Sequence, residues 1–342
     1  MSVKPRRRHV LRRLLLTALI LSAAVYAGNR LLFRPPEQKD RPAPAESTQP
    51  EKLAESAASS AASAAETAEH LAQPVEDDSA HWERKDRFYT ILVAGLDDDN
   101  GGSDTILLMA VDAENHAIYG VSIPRDTKAV INGKAWKINA AYNLGGMEQL
   151  SDTVSAQLGI PVDYTVAVNL RGFEQLVDAI GGVDFYVPVD MNYDDEVQNL
   201  SIHFSKGSQH LSGADALKVV RFRHNNDGTG YGSEDIGRMQ TQQKFLKAVA
   251  KKMLNAANLT RIDDFVKIFR ANVKTELSLE NLAWLGREAV AIGAEGVDFS
   301  TLPGNWKSPY IYPDADAVLD LVNQHLNPYR EDRRPEDLGL PG

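Results

Sequence analysis

Phe88 to Leu96 reads FYTILVAGL, an apolar run of β-branched and aromatic residues closing at Gly95, and predicts a buried strand. Thr105–Val111 and His116–Ile123 repeat the pattern on either side of a turn at Asp112-Ala113-Glu114-Asn115, giving two further strands. Beyond them, helical spacing over 147–158 alternates with a strand at Tyr164–Asn169. An amphipathic helix over 171–180 ends at Gly181-Gly182, and another strand follows at Val183–Val189. Ala214 to about Phe222 predicts a helix. A longer one covers about 236–255, with Phe245, Leu246, Val249 and Leu254 on one face. Helices near 261–270 and 279–292 lead to a short strand at Val297–Leu302. Strands alternating with helices predict an α/β domain with a sheet covered by helices on both faces.

The first eighty residues follow other rules. Six basic residues precede Leu14–Gly28, a run without charge. Fifteen helical residues span roughly 22 Å, short of a bilayer core of roughly 30 Å. Counting on to Phe33 reaches that thickness if Arg30 snorkels to the interface. The expected division is a cytoplasmic basic tail (1–13), a transmembrane anchor (14–33), an extracytoplasmic linker (34–84), a folded domain (85–328) and a loose Pro-rich tail (329–342). A cleaved signal peptide ending near Val25-Tyr26-Ala27 is the alternative, and it also places the body outside the cytoplasm. The linker begins with Pro35, Pro36, Pro42, Pro44 and Pro50, then becomes rich in Ala, Glu and Ser, and reads as a spacer holding the domain off the membrane.

Composition changes the picture in two ways. The absence of cysteine excludes disulfides, thiolate metal sites and cysteine nucleophiles. The net charge of -10 conceals an asymmetry: residues 1–34 hold eight Lys/Arg and no acid, leaving 29 basic against 47 acidic residues in the rest. Such a body is a poor binder of nucleic acid, so a polyanionic substrate has to be met by a local basic site.

Three clusters offer such chemistry. Asp97, Asp98 and Asp99 follow the first strand, and Ser103-Asp104 opens the next; carboxylates at strand ends suit Mg²⁺, and they also suit an ordinary polar turn. Arg125 in Ser122-Ile123-Pro124-Arg125-Asp126 is placed to clamp an oxyanion, or to pair with Asp126. Arg221-Phe222-Arg223-His224, followed by Asp235-Ile236-Gly237-Arg238 and Gln242-Gln243, sets three arginines within eighteen residues of an acidic domain. If the chain is helical there, Arg221 and Arg223 point apart; if extended, they project together. Phosphate binding and plain salt bridging both account for them. P-loop and nucleophile-elbow motifs are absent, and the histidines show no zinc spacing.

Taken in order, GLD, SDTILLMAVD, VSIPRDT, KINAAYNLGG, FEQLVDAIGGVDFYV, KGSQHLSGADALKVVRFRH and DIGRMQTQQKFL resemble the LytR-CpsA-Psr (LCP) domain over about residues 86–250. The resemblance implies a helix–sheet–helix sandwich with a central mixed sheet and an apolar polyprenyl-lipid pocket. It implies a phosphotransferase that moves a phosphoglycan from a polyprenyl-pyrophosphate carrier to a peptidoglycan sugar hydroxyl at the cell membrane. Asp97 and Asp104 look like the Mg²⁺ carboxylates. Arg125 looks like the principal phosphate-binding arginine, Arg221, Arg223 and Arg238 like the rest of the cationic ring, and Gln242 lies beside them. Val168, Phe173, Val177 and Phe245 are equally explained as pocket lining or as core. The chain departs from the family in a short Asp97–Asp104 loop and in Thr241, where Arg is common. A pyrophosphatase using water as acceptor, and a lipid or glycan sensor without turnover, remain as alternatives.

Overall fold

The computed structural model describes residues 33–39, 82–96, 103–196, 200–232, 234–253 and 262–341. The cytoplasmic tail and nearly all of the expected anchor lie outside these residues, as do Asp97–Asp99. In chain order the strands are β1 (Phe88–Leu96), β2 (Ser103–Asp112), β3 (Ala117–Ile123), the hairpin β4 (Lys128–Ile131) and β5 (Lys134–Lys137), β6 (Tyr164–Asn169), β7 (Val183–Val187), the hairpin β8 (Met191–Asp195) and β9 (Leu200–Phe204), β10 (Gly207–Leu211), β11 (Val273–Thr275), β12 (Val297–Thr301), and the hairpin β13 (Gly304–Lys307) and β14 (Tyr310–Pro313). The helices are α1 (Ala140–Leu158), α2 (Leu170–Ala179), α3 (Gly213–Arg221), α4 (Glu234–Met253), α5 (Ile262–Asn272), α6 (Leu279–Ile292) and α7 (Ala315–Leu321).

Six strands form the central sheet in the order β11-β6-β1-β2-β3-β12. β1–β2, β2–β3 and β6–β11 pair antiparallel, while β1–β6 and β3–β12 pair parallel, so the sheet is mixed. Strand alternation divides the apolar residues between its faces. Leu92, Ala94, Ile106, Leu108, Val121 and Ile123 pack under α1 and α7. Tyr89, Ile91, Val111, Ile118 and Val297 pack under α6, where Trp284 sets its ring edge-on to Tyr89 at 5.4 Å. A second core gathers α2, α3, α4 and the small β7–β10 and β8–β9 pairs around Phe185, Phe222 and Phe245.

One carboxylate ties the base together. Asp163, fully buried, accepts hydrogen bonds from the backbone N–H and hydroxyl of Thr90 at 2.8 and 3.0 Å, from Arg84 Nη2 at 2.9 Å and from the backbone N–H of Lys39 at 2.8 Å. Beside it, the Tyr164 hydroxyl donates to the carbonyl of Glu37 and accepts from its N–H, both at 2.8 Å. Gln38 Nε2 reaches the carbonyls of Lys85 and Phe88. These contacts correct the linker reading. Residues 33–39 are strapped to the body, and Arg84 Nη1 donates to the carbonyl of Lys39. Both ends of the expected spacer therefore sit at one place.

The Pro-rich end also differs from the expected loose tail. Arg333 is buried between the rings of Trp82 and Tyr329, its guanidinium 4.0 and 5.3 Å from their centroids, and Nη2 lies 2.6 Å from Asp337 Oδ1. The Gly339 N–H bonds the Ala156 carbonyl at 2.9 Å. Gly159, at φ 64, lets this strap approach the end of α1: a Cβ there would stand 2.3 Å from the Asp337 carbonyl oxygen. Cation–π stacking and a short ion pair hold a segment whose sequence carries little apolar signal.

Replacing Asp163 with Ala leaves Arg84 buried without its counter-charge and strips three backbone or hydroxyl donors. The expected loss is about 3–5 kcal/mol, read as a lower denaturation midpoint. A pH effect arises at Glu276. Burial alone would raise its carboxyl, but hydrogen bonds from the Thr165 backbone and hydroxyl, together with Lys39, hold it below its ordinary 4.5. Its contribution is present above pH 4.5 and is lost as pH falls through the lower folded value. Thermal melts between pH 5 and 3 should show the gap between the parent and Glu276→Gln closing with acid.

Candidate functional site

At one end of the sheet Leu96 pairs with both Ser103 and Asn169, Ile123 pairs with Ile106, and Thr301 pairs with Ser122. The loops leaving this end start from backbone held in the ladders of the sheet, Leu96 being paired on both sides. Asp97 follows Leu96 and lies outside the described residues. Asp104 stands where the β1–β2 register shifts: Gly95 faces Thr105 and Leu96 faces Ser103, so Asp104 is the extra residue of a bulge. A bulge leaves one residue out of the ladder and re-aims its side chain; the Asp104 side chain itself lies outside the description.

Arg125 follows Ile123-Pro124 at the same end. Its backbone is held by a turn bond from Thr127 N–H to the Pro124 carbonyl, and its own carbonyl accepts from Asn139 N–H at 3.3 Å. Asp126 is engaged mainly by Lys137 Nζ, at 2.9 Å, while Arg125 Nε lies 3.9 Å from the same oxygen. The Arg125 side chain remains about a third exposed, at 31%. Simple pairing with Asp126 therefore does not account for it.

The other arginines arrive through α3 and α4. α3 starts at the Ser212 cap, whose hydroxyl accepts from Asp215 N–H, and ends at Arg221. Phe222 is extended (φ -61, ψ 134) and fully buried, with its ring edge-on to Tyr231 at 5.5 Å. The question of Arg221 and Arg223 is thus answered by a helix end. One is the last helical residue, the other sits in extended chain, and a buried aromatic lies between them. Arg223 is exposed and close to Tyr193; burial and then Asp195 raise that phenol, and Arg223 opposes them.

Arg238 lies in the second turn of α4, half-buried. Gly237 beside it allows the preceding loop to close, since a Cβ there would stand 2.4 Å from Tyr231 Cβ. Burial pushes the Tyr231 phenol up, opposed first by the Thr241 hydroxyl and then by the charge of Arg238. Two successive amides then fix α4. Gln242 Nε2 donates to the Val220 carbonyl at 3.1 Å, satisfying a backbone acceptor at the end of α3. Gln243 Nε2 donates to Thr301 Oγ1 at 2.7 Å, at the end of β12. Covalent and hydrogen-bonded links therefore run from Arg125 through Ser122, Thr301, Gln243 and Gln242 to Arg221, with Arg238 about one turn before Gln242. Thr241 is turned inward, 3% exposed, and its hydroxyl bonds the Gly237 carbonyl at 2.8 Å, so this position offers nothing to a ligand.

Gln243 and Thr301 were not assigned roles by sequence. Gln243 stood within the basic cluster, but Thr301 lies 58 residues further on, and no local signal joins them. Among the four undecided apolar residues, Val177 and Phe245 are fully buried core, while Val168 and Phe173 are partly buried, Phe173 packing against that same core. Among the described residues, no group of three His, Asp or Glu converges as a metal site.

The profile of the LytR_cpsA_psr family matches residues 53–331. The chain belongs to that family. It is 35% identical over 249 residues to the polyisoprenyl-teichoic acid–peptidoglycan teichoic acid transferase TagU of Bacillus cereus, covering 69% of this chain and 77% of that protein. It is 31% identical over 266 residues to the corresponding transferase TagV of Bacillus subtilis, covering 72% and 66%. The crystal structure of B. subtilis TagV superposes with a TM-score of 0.59 at 29% identity, over 71% of this chain and 98% of that one. The LCP helix–sheet–helix class expected from the sequence is thus the class observed.

Gly237→Ala forces Tyr231 out of its place against α4. The expected cost is about 1–3 kcal/mol in a denaturant titration, with a larger cost for Gly237→Val.

Proposed function

We infer that this LCP protein is a transferase that moves a glycopolymer phosphate from a polyprenyl-pyrophosphate carrier to a sugar hydroxyl of peptidoglycan. What supports the reading is the pair of amide ties, Gln242 to the Val220 carbonyl and Gln243 to Thr301, which link the elements carrying Arg221 and Arg238 to the sheet end that Arg125 follows, in an otherwise acidic body. Arg223 follows the end of α3 in extended chain, exposed and near Tyr193. In the transfer, the acceptor hydroxyl oxygen forms a bond to the glycan-bearing phosphorus. The phosphoanhydride bond to the lipid phosphate breaks, polyprenyl phosphate leaves with the electron pair, and the hydroxyl proton passes to solvent. Arg125 and its neighbours bind the pyrophosphate and stabilise charge as it shifts to the leaving phosphate. Gln242 acts by positioning the end of α3 that carries Arg221.

Asp97 and Asp104 suit Mg²⁺. Asp97 follows the last residue of β1 in sequence and Asp104 is the extra residue of the bulge in β2, and two carboxylates with phosphate oxygens form the hard donor set this ion takes. Bound there, the ion would neutralise charge on the pyrophosphate. The polyprenyl chain has a candidate path on the α4-covered sheet face, where Val93, Met109, Val166 and Phe299 are only partly buried. A single membrane span over 14–33, with the N-terminus in the cytoplasm, places the body on the side where such a carrier meets the wall.

Full-length protein in vesicles, given a synthetic polyprenyl-pyrophosphoryl sugar, Mg²⁺ and peptidoglycan fragments, should place sugar phosphate on the glycan, as followed by mass spectrometry. Arg125→Ala should lower that rate by about 100- to 1,000-fold, and chelation of the metal should suppress it reversibly. Products cleaved only by water would replace the transferase with a pyrophosphatase. Lipid binding without turnover would replace it with a sensor.

A further inference from the structure

The strap 33–39 enters the fold at the end of the sheet opposite the arginines. Tyr164 and Phe88, which it contacts, open β6 and β1, whereas the site lies where those strands finish. Nine residues of β1 separate the two ends, roughly 30 Å. At its upstream end the strap is fastened to α6. Asn281 Nδ2 donates to the Arg34 carbonyl at 3.1 Å, and the Arg287 guanidinium lies 5.4 Å over the ring of Phe33. The charge-free run Leu14–Gly28 ends only five residues before Phe33, at most about 18 Å of extended chain. With that run in a bilayer, the body has no tether on which to stand away from it.

The helix at this spot has an unusual outer side. α6 runs across the base of the sheet, with Trp284 against Tyr89, Glu288 Oε2 2.8 Å from Arg87 Nη2, and Gly296, just beyond its end, against the His116 carbonyl. Facing outward are Leu279 (40% exposed), Gly286 and Val290 (38% exposed), with the half-buried Ala283 between them, spaced four, three and four residues apart on one side. Among the residues α6 exposes, only Glu280 and Arg287 are charged. In a body this acidic, a water-facing helix side is expected to be polar.

We propose that α6 lies on the outer surface of the bilayer, its Leu279–Val290 side against the lipid interface and Arg34 and Arg287 among the headgroups. The body is then clamped by its base, and the arginine cluster is held at the far end of the sheet. This rests on the membrane-anchor reading above. Beside this face Arg34, Arg287 and the half-exposed Arg87 outnumber Glu280 and Glu288, which they face, and a net positive charge beside an apolar helix side fits an anionic leaflet. A carrier lipid would leave the bilayer beside α6 and extend along the Val93–Phe299 face, so its pyrophosphate would meet the arginines well above the membrane.

The chain has no cysteine, so single-cysteine labelling is direct. Full-length Leu279→Cys and Val290→Cys, with Tyr186→Cys and Trp306→Cys as exposed positions elsewhere, would carry an environment-sensitive fluorophore. They would be reconstituted in phosphatidylglycerol/phosphatidylethanolamine vesicles containing a headgroup-level nitroxide lipid. Quenching at 279 and 290 should exceed that at 186 and 306 several-fold, with emission shifted to the blue. Equal quenching at all four, in protein that alkaline carbonate does not extract, overturns the clamp and leaves the anchor standing. Extraction by carbonate removes the anchor and the clamp with it. Melting curves matching the parent would certify each variant as folded, and agreement between 279 and 290 guards against a local effect of one label.

Discussion

The buried carboxylate of Asp163 is the contact on which the arrangement of this protein depends. It receives four donors from two stretches of chain that are distant in sequence, the strap at Lys39 and the Arg84–Thr90 segment leading into β1, while its own backbone N–H donates to the Thr90 carbonyl and ties in the start of β6. A buried charge so fully engaged leaves the chain little freedom to rearrange, because any alternative strands an ionised group in a dry interior. β1 and β6 are thereby set in parallel register from their first residues, and the register carries along the strands to the opposite end. The positions of Leu96 and Asn169 beside the candidate site are thus fixed some distance away from it.

α4 plays the corresponding part at the upper end. Phe245 and Val249 belong to the core shared with α2 and α3, whereas Ala250 packs toward the central sheet and Gln243 reaches β12. A helix that faces two cores has apolar residues on more than one side, and its polar positions are spent on ties to neighbours. The two adjacent glutamines illustrate the point. They face different partners because successive residues on a helix are turned by about 100°, so one helix can join α3 to the sheet edge and carry Arg238 between them.

Much of the architecture was legible in the sequence because it rests on local periodicity. β1, β6, α6 and β12 fall within a residue or so of their expected limits, each having a strong apolar pattern with turn or capping residues nearby. The short hairpins were not legible. β5 is KAWK, almost wholly exposed, and β8–β9 carries Asn, Asp, Ser and His, whose pairing depends on Asn225 and Asn226 in a loop thirty residues away. The start of α1 was missed because Gly145 and Gly146 break its helical geometry after the first turn. At the site, the arginines were legible as basic residues out of place in an acidic body. The ties that join α3 and α4 to each other and to the sheet edge were not, since they depend on Gln242 meeting the Val220 carbonyl and Gln243 meeting Thr301. The strap and the C-terminal segment were misread for a related reason: both are held by hydrogen bonds and ring–cation contacts, which leave no apolar periodicity in the sequence.

The meeting of Lys39 with Arg84 has a consequence for how this chain can vary. Lys39 and Arg84 meet at a single point, so the number of residues between them does not enter the distance between any two described parts of the fold. Lengthening such a closed excursion costs free energy only logarithmically, about 0.6 kcal/mol for each doubling. Related chains can therefore gain or lose tens of residues there, or host a further module, while the enzyme beneath keeps its shape.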